Sequence, residues 1–454
     1  MRDEKLKNIR EIDMHMSYDI MDSYNHSEIV TGTDNGTDGL GRYMKALHDT
    51  SLAQFKHPEV QNLIHNESEH FDLLMIEVVY PAHIGFVERW KVPLIGMVSL
   101  DASLRYHQIM GNIIHPVLNP DYIMSFRPPL TFTQRIISVI AGAMLNLYGY
   151  WVTFPSEDET VKEIFGPNSK PLWELTEKMD MLFTNVNPLF HNIRAVTPNT
   201  IQFGGAIHLP DPKPLPEYLK SFLDSSTDGV IYFSLGTNVK SNLLDGRILK
   251  ILIETFSELS YKVLWKFEND EMLNKPENVF IRKWLPQSDI LRHPNVKLFI
   301  TQCGLQSMEE AIFSHIPMIG IPFFGDQKQN GVTMERRGFG IKLDHNTMTK
   351  QELKSAIQDV ITNPQYKENV IEMANLMSDS EMTGLEKAVW WTEYVIRNKG
   401  AEYLKSPHQK VPVYQQFLLD VIGFILLTLI TLILITKKIF SLLFKNKKIK
   451  QKIT

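Results

Sequence analysis

The chain has 454 residues, a net charge of −5 at neutral pH and one cysteine, Cys303. Such a length favours two or three domains with sizeable cores. The charge gives no footing for nucleic-acid binding, and a lone cysteine excludes an intramolecular disulfide or a cysteine-rich metal site.

Residues 1–70 are polar, turn-rich around 31–36, and show little periodicity. Short apolar runs at 71–79 and 92–100 are spaced for parallel strands joined by a helix. Residues 102–175 are aromatic, punctuated by proline and predicted mostly helical. Within them 136–151 is apolar, but Asn146 and the nearby glycines favour a packed helix over a membrane span. Further strands are predicted at 181–186 and 201–206.

Residues 209–216 hold four prolines, which continue neither helix nor ladder, so a stiff linker and a domain boundary are expected there. Beyond it, strand candidates at 230–235, 263–267, 279–281, 297–300, 317–321 and 340–343 alternate with amphipathic stretches such as 249–259 and 306–314. That alternation predicts a doubly wound parallel sheet, whose ligands sit at the carboxyl ends of the strands.

The run 417–436 is 20 residues long with one charge, Asp420, which matches the hydrocarbon core of a bilayer. Lys437, Lys438 and a lysine-rich tail follow. The positive-inside rule keeps that tail cytoplasmic and puts the bulk of the chain on the lumenal side. Three glycosylation sequons, at Asn25, Asn35 and Asn66, agree with this topology. Lys450 and Lys452, near the C-terminus, have the spacing of a retrieval signal for the endoplasmic reticulum, or form a basic tail on anionic lipid. The first residues lack the apolar core of a signal peptide. Either a leader is missing from this sequence or the C-terminal span inserts alone.

Chemistry concentrates between Trp284 and Gln327. Trp284 follows a strand and precedes Leu-Pro-Gln287, so it is either a core residue or a plate on which a base stacks. The segment Thr301-Gln302-Cys303-Gly304-Leu305-Gln306-Ser307 joins a strand to a helix, where free N–H groups and the helix dipole attract phosphate; an ordinary βα turn has the same composition. Glu310 is either an acceptor for ribose hydroxyls or the second member of a capping box with Ser307. Asp326 and Gln327 are suited to gripping sugar hydroxyls, or form a turn or N-cap. Ser234 lies in another small polar loop, Phe233 to Thr237, facing the same cleft. No dinucleotide fingerprint, Walker loop, Asp-x-Asp pair or zinc pattern is present in the sequence.

Together Trp284-Leu-Pro-Gln287, Gly304, Ser307, Glu310, Asp326-Gln327 and the run from Glu386 to Arg397 resemble the signature of the membrane-bound UDP-glycosyltransferases, the UDP-glucuronosyltransferase-like family, in its insect type. The resemblance implies the α/β GT-B fold, two Rossmann-like domains with the first one truncated, plus a C-terminal transmembrane helix. It divides the chain into an acceptor domain at 1–208, a linker at 209–216, a donor domain at 217–375, helices leading to the membrane at 376–416, a span at 417–436 and a basic tail at 437–454.

By the same resemblance, Trp284 stacks uracil and Gln287 contacts the nucleoside. Gln302, Gln306 and Ser307 meet phosphate beside Gly304, Glu310 takes the ribose, and Asp326 with Gln327 takes the sugar. Gln302 stands where the family usually has a histidine, so donor binding is expected to be weaker. Cys303 replaces a glycine, acceptable only at negative φ. The family's general base is a histidine in a first βα unit that has no counterpart here; Glu77 is the candidate for the acid that orients it. The implied reaction is metal-free, inverting transfer from a UDP-sugar, which is a co-substrate rather than a cofactor, to a small lipophilic acceptor. A non-catalytic UDP-sugar-binding or partner subunit is the alternative. UDP-glucose is favoured over UDP-glucuronate, and a homo- or hetero-oligomer at the membrane is left open.

Overall fold

The computed structural model describes residues 8–24, 39–121, 123–124, 126–191, 193–205, 208–209 and 211–450. The sequons at Asn25 and Asn35 and the end of the tail lie outside them. Among the described residues, ten short strands form two parallel sheets. The first sheet takes β1 (Leu74–Glu77), β2 (Leu94–Val98), β3 (Met181–Thr184) and β4 (Thr200–Gln202) in sequential order. The second takes β5 (Val230–Ser234), β6 (Lys262–Lys266), β7 (Val279–Arg282), β8 (Val296–Thr301), β9 (Met318–Gly320) and β10 (Gly340–Lys342) in the order β10-β9-β8-β5-β6-β7. Each predicted strand is present within a few residues of its expected bounds.

The second sheet is buried on both faces because helices cover both. One face carries Ile231, Phe233, Trp265 and Ile300 against the helices Gly246–Ser257 and Lys350–Thr362. The other carries Tyr232, Leu264 and Phe299 against Leu305–Phe313 and Pro364–Ser378. Such double coverage explains why these strands read as unbroken apolar runs. Strand order reverses between β5 and β8, which pair with Ser234 opposite Thr301. Helices on either side of that seam diverge and leave a crevice at the strands' carboxyl ends.

Two expectations for the first half are corrected. The polar residues 1–70 contain the helices Met16–Ser23, Gly39–Lys56 and Pro58–His65. In Gly39–Lys56 the buried positions are Ala46, Leu47, Thr50, Ser51 and Phe55. They lie on one helical face, but Thr50 and Ser51 hide it from an apolar pattern. The apolar stretch 136–151 is not packed: in the helix Phe132–Tyr148 only Ser138 and Gly142 are buried. Small residues let this helix sit close to its neighbours, while Phe132, Ile136, Ile140, Met144 and Leu147 are exposed.

The helix Gly384–Asn398 returns to the first sheet, where Val395 packs with Ile95, Met181 and Phe183. Asp180 pins the turn beyond it by accepting from Ala401 N–H at 2.8 Å and from Leu94 N–H at 3.0 Å. The C-terminal unit, considered by itself, is dominated by the helix Leu419–Lys450, whose stretch Leu419–Leu442 is 24 residues long and apolar enough to cross a membrane.

Cys303 contradicts the condition set for it. Its φ is +66°, in the left-handed region that favours glycine. Its buried Sγ fills space left by Gly320: a Cβ added there would overlap the sulfur. Gly320→Ala is therefore expected to destabilise the protein by about 1–3 kcal/mol through overpacking. Adding Cys303→Gly should recover most of that loss, as denaturant titration of the single and double variants would show. Additive effects would separate the two positions.

Candidate active site

The crevice at the β5–β8 seam is a cleft of about 580 Å³. Ser234, Trp284, Gln287, Gln302, Gly304, Gln306, Ser307, Glu310, Asp326 and Gln327 all line it. Every donor-side residue singled out in the sequence thus meets in one place. Glu77 is not among them.

Trp284 follows β7, and its side chain is 70% exposed. A core role for this indole is thereby excluded, since burial, the favourable state for so large a ring, has not been used here. Pro286 precedes the short helix Gln287–Leu291 and sets the chain's direction beneath the ring.

Gln287 is the hub of a polar network. Its Nε2 donates to Ser307 Oγ at 3.0 Å and to Glu310 Oε2 at 2.7 Å, while its Oε1 accepts from Tyr232 OH at 3.3 Å. Strand β5, the short helix Gln287–Leu291 and the helix Leu305–Phe313 are thereby tied together at the cleft, with their polar groups already positioned. The capping-box alternative for Glu310 fails. The N-cap of Leu305–Phe313 is Gly304, without a side-chain cap bond, and Ser307 stands inside the first turn. The start of this helix, from Gly304 to Ser307, lines the cleft.

Asp326 reaches towards the same helix start. Its carboxylate accepts from Asn330 Nδ2 at 2.6 Å and from the backbone N–H of Leu305. Burial raises its pKa against these hydrogen bonds. It occupies the N-cap position of Gln327–Arg337 but makes no side-chain cap bond, so the capping alternative also fails. Gln327 is partly committed: its Oε1 accepts from the N–H groups of Phe323 and Phe324 at 2.9 and 3.2 Å. Gln302 is buried, with Nε2 against Gly236, whose φ of +72° and lack of room both demand glycine. Ser234 Oγ accepts from Gly236 N–H at 3.3 Å and steadies that turn.

Sequence reasoning missed Tyr232, Lys266, Tyr43 and Leu100. Lys266 Nζ lies 2.8 Å from Glu268 Oε1 and brings a cation to the cleft wall. A lysine closing an apolar strand was a legible signal. Tyr43 and Leu100 come from the first half of the chain, and no spacing could have joined them to Trp284. The same two residues line a second, mainly apolar pocket of about 360 Å³ beside the first sheet, with Val78, Val98, Leu104 and Phe154.

Glu77 lines another pocket, of about 550 Å³, with Met75, Phe183, Val389 and His208. It touches the donor cleft only through the shared Ser99 and Gln306. Burial pushes its carboxyl up to about 7, and its Oε1 is buried without a hydrogen-bond partner. His208 Nε2 donates to the Gln306 carbonyl oxygen at 3.2 Å, so Nε2 carries the proton.

The model of the UDP-glucoronosyl and UDP-glucosyl transferase family matches residues 33–453. The chain belongs to this family. Among relatives, UDP-glycosyltransferase UGT5 of Dactylopius coccus is 32% identical, over 96% of this chain and 83% of that protein. UDP-glucuronosyltransferase 2B7 of Homo sapiens is also 32% identical, over 82% of this chain and 70% of its own length. In structure, spinosyn forosaminyltransferase SpnP aligns with a TM-score of 0.55 at 14% identity, covering 78% of this chain and 84% of that one. The glycotransferase of kitacinnamycin aligns at 0.52 and 16% identity, covering 77% and 82%. These neighbours share the GT-B fold. UDP-glycosyltransferases of this family move a sugar from a UDP-sugar to an acceptor, and the cleft has the parts to hold such a donor.

Two outcomes follow. Trp284→Ala should weaken UDP binding by the worth of one stacked base, about 1–3 kcal/mol, measured by calorimetry on protein of unchanged melting temperature. An unaltered affinity would remove the indole from the site. Glu77→Gln should raise the melting temperature at pH 8, where the parent carboxylate is ionised and desolvated. The folded pKa of about 7 lies above the ordinary 4.5, so Glu77's penalty disappears as pH falls through that window. The gap between variant and parent should therefore close towards pH 4.5.

Proposed function

We propose that this chain transfers a hexose, glucose in preference to glucuronate, from its UDP-sugar to a hydroxyl of a small lipophilic acceptor, with inversion at the anomeric carbon and without a metal ion. The observation that carries the reading is the shared wall: Tyr43 and Leu100 belong both to the polar cleft around Trp284 and to the apolar pocket beside the first sheet. A donor in one and a greasy acceptor in the other meet at that wall.

In this reading Trp284 stacks the uracil, Gln287 contacts the nucleoside and Glu310 the ribose. The N–H groups at the start of Leu305–Phe313, with Gln302, Gln306 and Ser307, receive the diphosphate. Lys266 adds the positive charge that metal-dependent enzymes draw from a cation. As the glycosidic bond breaks, negative charge grows on the leaving diphosphate, and fixed dipoles stabilise it without reorganisation. Asp326 and Gln327 hold the sugar, the latter by its Nε2 alone. Attack from the acceptor side, opposite the diphosphate, inverts the anomeric centre. Glu77 is assigned the orienting acid of the family's base. The helix Leu419–Lys450 anchors the protein in the endoplasmic reticulum membrane, with the catalytic part lumenal and the basic tail cytoplasmic.

The test is transfer by the full chain in lipid nanodiscs from radiolabelled UDP-glucose and UDP-glucuronate to 1-naphthol. Glycoside formation of opposite anomeric configuration, unaffected by chelator, is expected, with UDP-glucose the better donor. UDP raising the melting temperature without any transfer would instead favour a donor-binding subunit. Neither effect would end the nucleotide-sugar reading.

A further inference from the structure

The helix Phe132–Tyr148 turns its apolar side away from the protein. Its buried positions are Ser138 and Gly142. Phe132, Ile136, Ile140, Met144 and Leu147, spaced four and three residues apart, form an exposed stripe that Ile137 and Val139 widen. Phe132 and Met144 are 69% and 65% exposed. The helix has 17 residues, which makes the ridge about 25 Å long. An apolar surface of that extent marks a place that something else covers.

The helix does not leave the protein. Leu130 before it and Phe154 after it are buried. The chain runs on into the helix Phe154–Phe165, whose Val161 sits in the core of the first half. Midway, Ser138 Oγ donates to the carbonyl of Pro116, and Gly142 stands over Leu104. Held at both ends and in the middle, the helix lies along the surface and does not itself cross a membrane.

Three observations name the covering surface as lipid. Between Asp121 and Glu157 the chain has no acidic residue, and its charges there are Arg127 and Arg135. Such a segment is attracted by anionic headgroups. The far end of the ridge carries exposed Tyr150 and Trp151, residue types that favour the boundary between water and hydrocarbon. The same chain also contains Leu419–Leu442, long and apolar enough to cross a membrane, so the molecule supplies its own bilayer.

The inner side of the helix faces the mainly apolar pocket of about 360 Å³, which Gly142, Leu145, Asn146 and Tyr148 line. One helix thickness, about 10 Å, separates this pocket from the outer stripe. The helix ends in a π-helical turn, Gly149–Thr153. Tyr150 in that turn both lines the pocket and is exposed. The pocket therefore has a mouth at the aromatic end of the stripe.

We propose that Phe132–Tyr148 lies in the interfacial plane of a phospholipid bilayer, with its stripe among the acyl chains, and that acceptors dissolved in that layer enter the pocket beside Tyr150. The first half stands on the surface alone. The second rests on the functional reading above.

The experiment uses the full chain, one molecule per nanodisc of phosphatidylcholine and phosphatidylserine. Cys303 is buried, so nitroxide labels attach at introduced cysteines. Ile140→Cys and Met144→Cys place them on the stripe, and Lys250→Cys, at an exposed position of Gly246–Ser257, is the control. Collisions of each label with oxygen, which enters lipid, are compared with those of a water-soluble nickel chelate. The oxygen-to-nickel ratio on the stripe should exceed the control's by about fivefold or more, as for groups about 5–10 Å into the headgroup boundary. A ratio equal to the control's puts the stripe in water and overturns the proposal. Protection from both reagents puts it against protein and overturns the proposal equally. Each label reports alone, so one folded variant suffices. In transfer, Ile140→Glu with Met144→Glu, which line neither cavity, should raise the KM for 1-naphthol about tenfold and leave the KM for UDP-sugar within about twofold, because only the approach through lipid is lost. Met144→Glu alone gives the same readout if the double variant does not fold. An unchanged naphthol KM overturns the route into the pocket. Absence of any transfer by the parent would sink the functional reading, while the labels would still decide the lipid contact.

Discussion

The reversal of strand order between β5 and β8 is the constraint on which the rest of the molecule depends. In a parallel sheet, helices must run back over one face or the other, and at a reversal adjacent strands send their chains to opposite sides. Beyond Ser234 and Thr301 the two chains turn to opposite sides and a cleft opens at the strand ends, a consequence of topology before any side chain is chosen. The helix start after β8, the indole after β7 and the Asp326 loop after β9 are all strand-end features. They converge because parallel strands end on the same edge.

Several polar groups in this cleft are held by one another. Gln287 ties Tyr232, Ser307 and Glu310 together, and Asp326 ties Asn330 to the N–H of Leu305. Buried polar groups that satisfy each other stay rigid, and rigidity is what lets a site stabilise developing charge without rearranging. The first half of the chain follows the same logic on a smaller scale. Thr197, Asn112 and His107 lead to one oxygen of Asp101.

Most of the second sheet was legible because each strand is a short apolar run ended by a small or polar residue. The first half was harder to read. In Gly39–Lys56 the buried face is built partly from Thr50 and Ser51, so hydropathy does not mark it. In Phe132–Tyr148 the packed stripe is Ser138 and Gly142 and the apolar residues face outwards, the reverse of the usual expectation. Cys303 was expected to avoid positive φ, yet the turn geometry prevailed because Gly320 leaves room for its sulfur.

Local chemistry was within reach of the amino-acid order alone. An aromatic residue beside Pro-Gln, a small-residue turn opening a helix and an Asp-Gln pair each depend on neighbours a few positions away, and the structure gathers all three along one cleft. What lay beyond reach was every relation spanning the two sheets. Tyr43 and Leu100 join the wall of the Trp284 cleft, Glu77 faces a different pocket from Asp101, and Val395 packs on the first sheet from nearly 400 residues along the chain. Such contacts are set by how sheets and helices close over apolar surface, a property of the whole chain that no short window of residues contains.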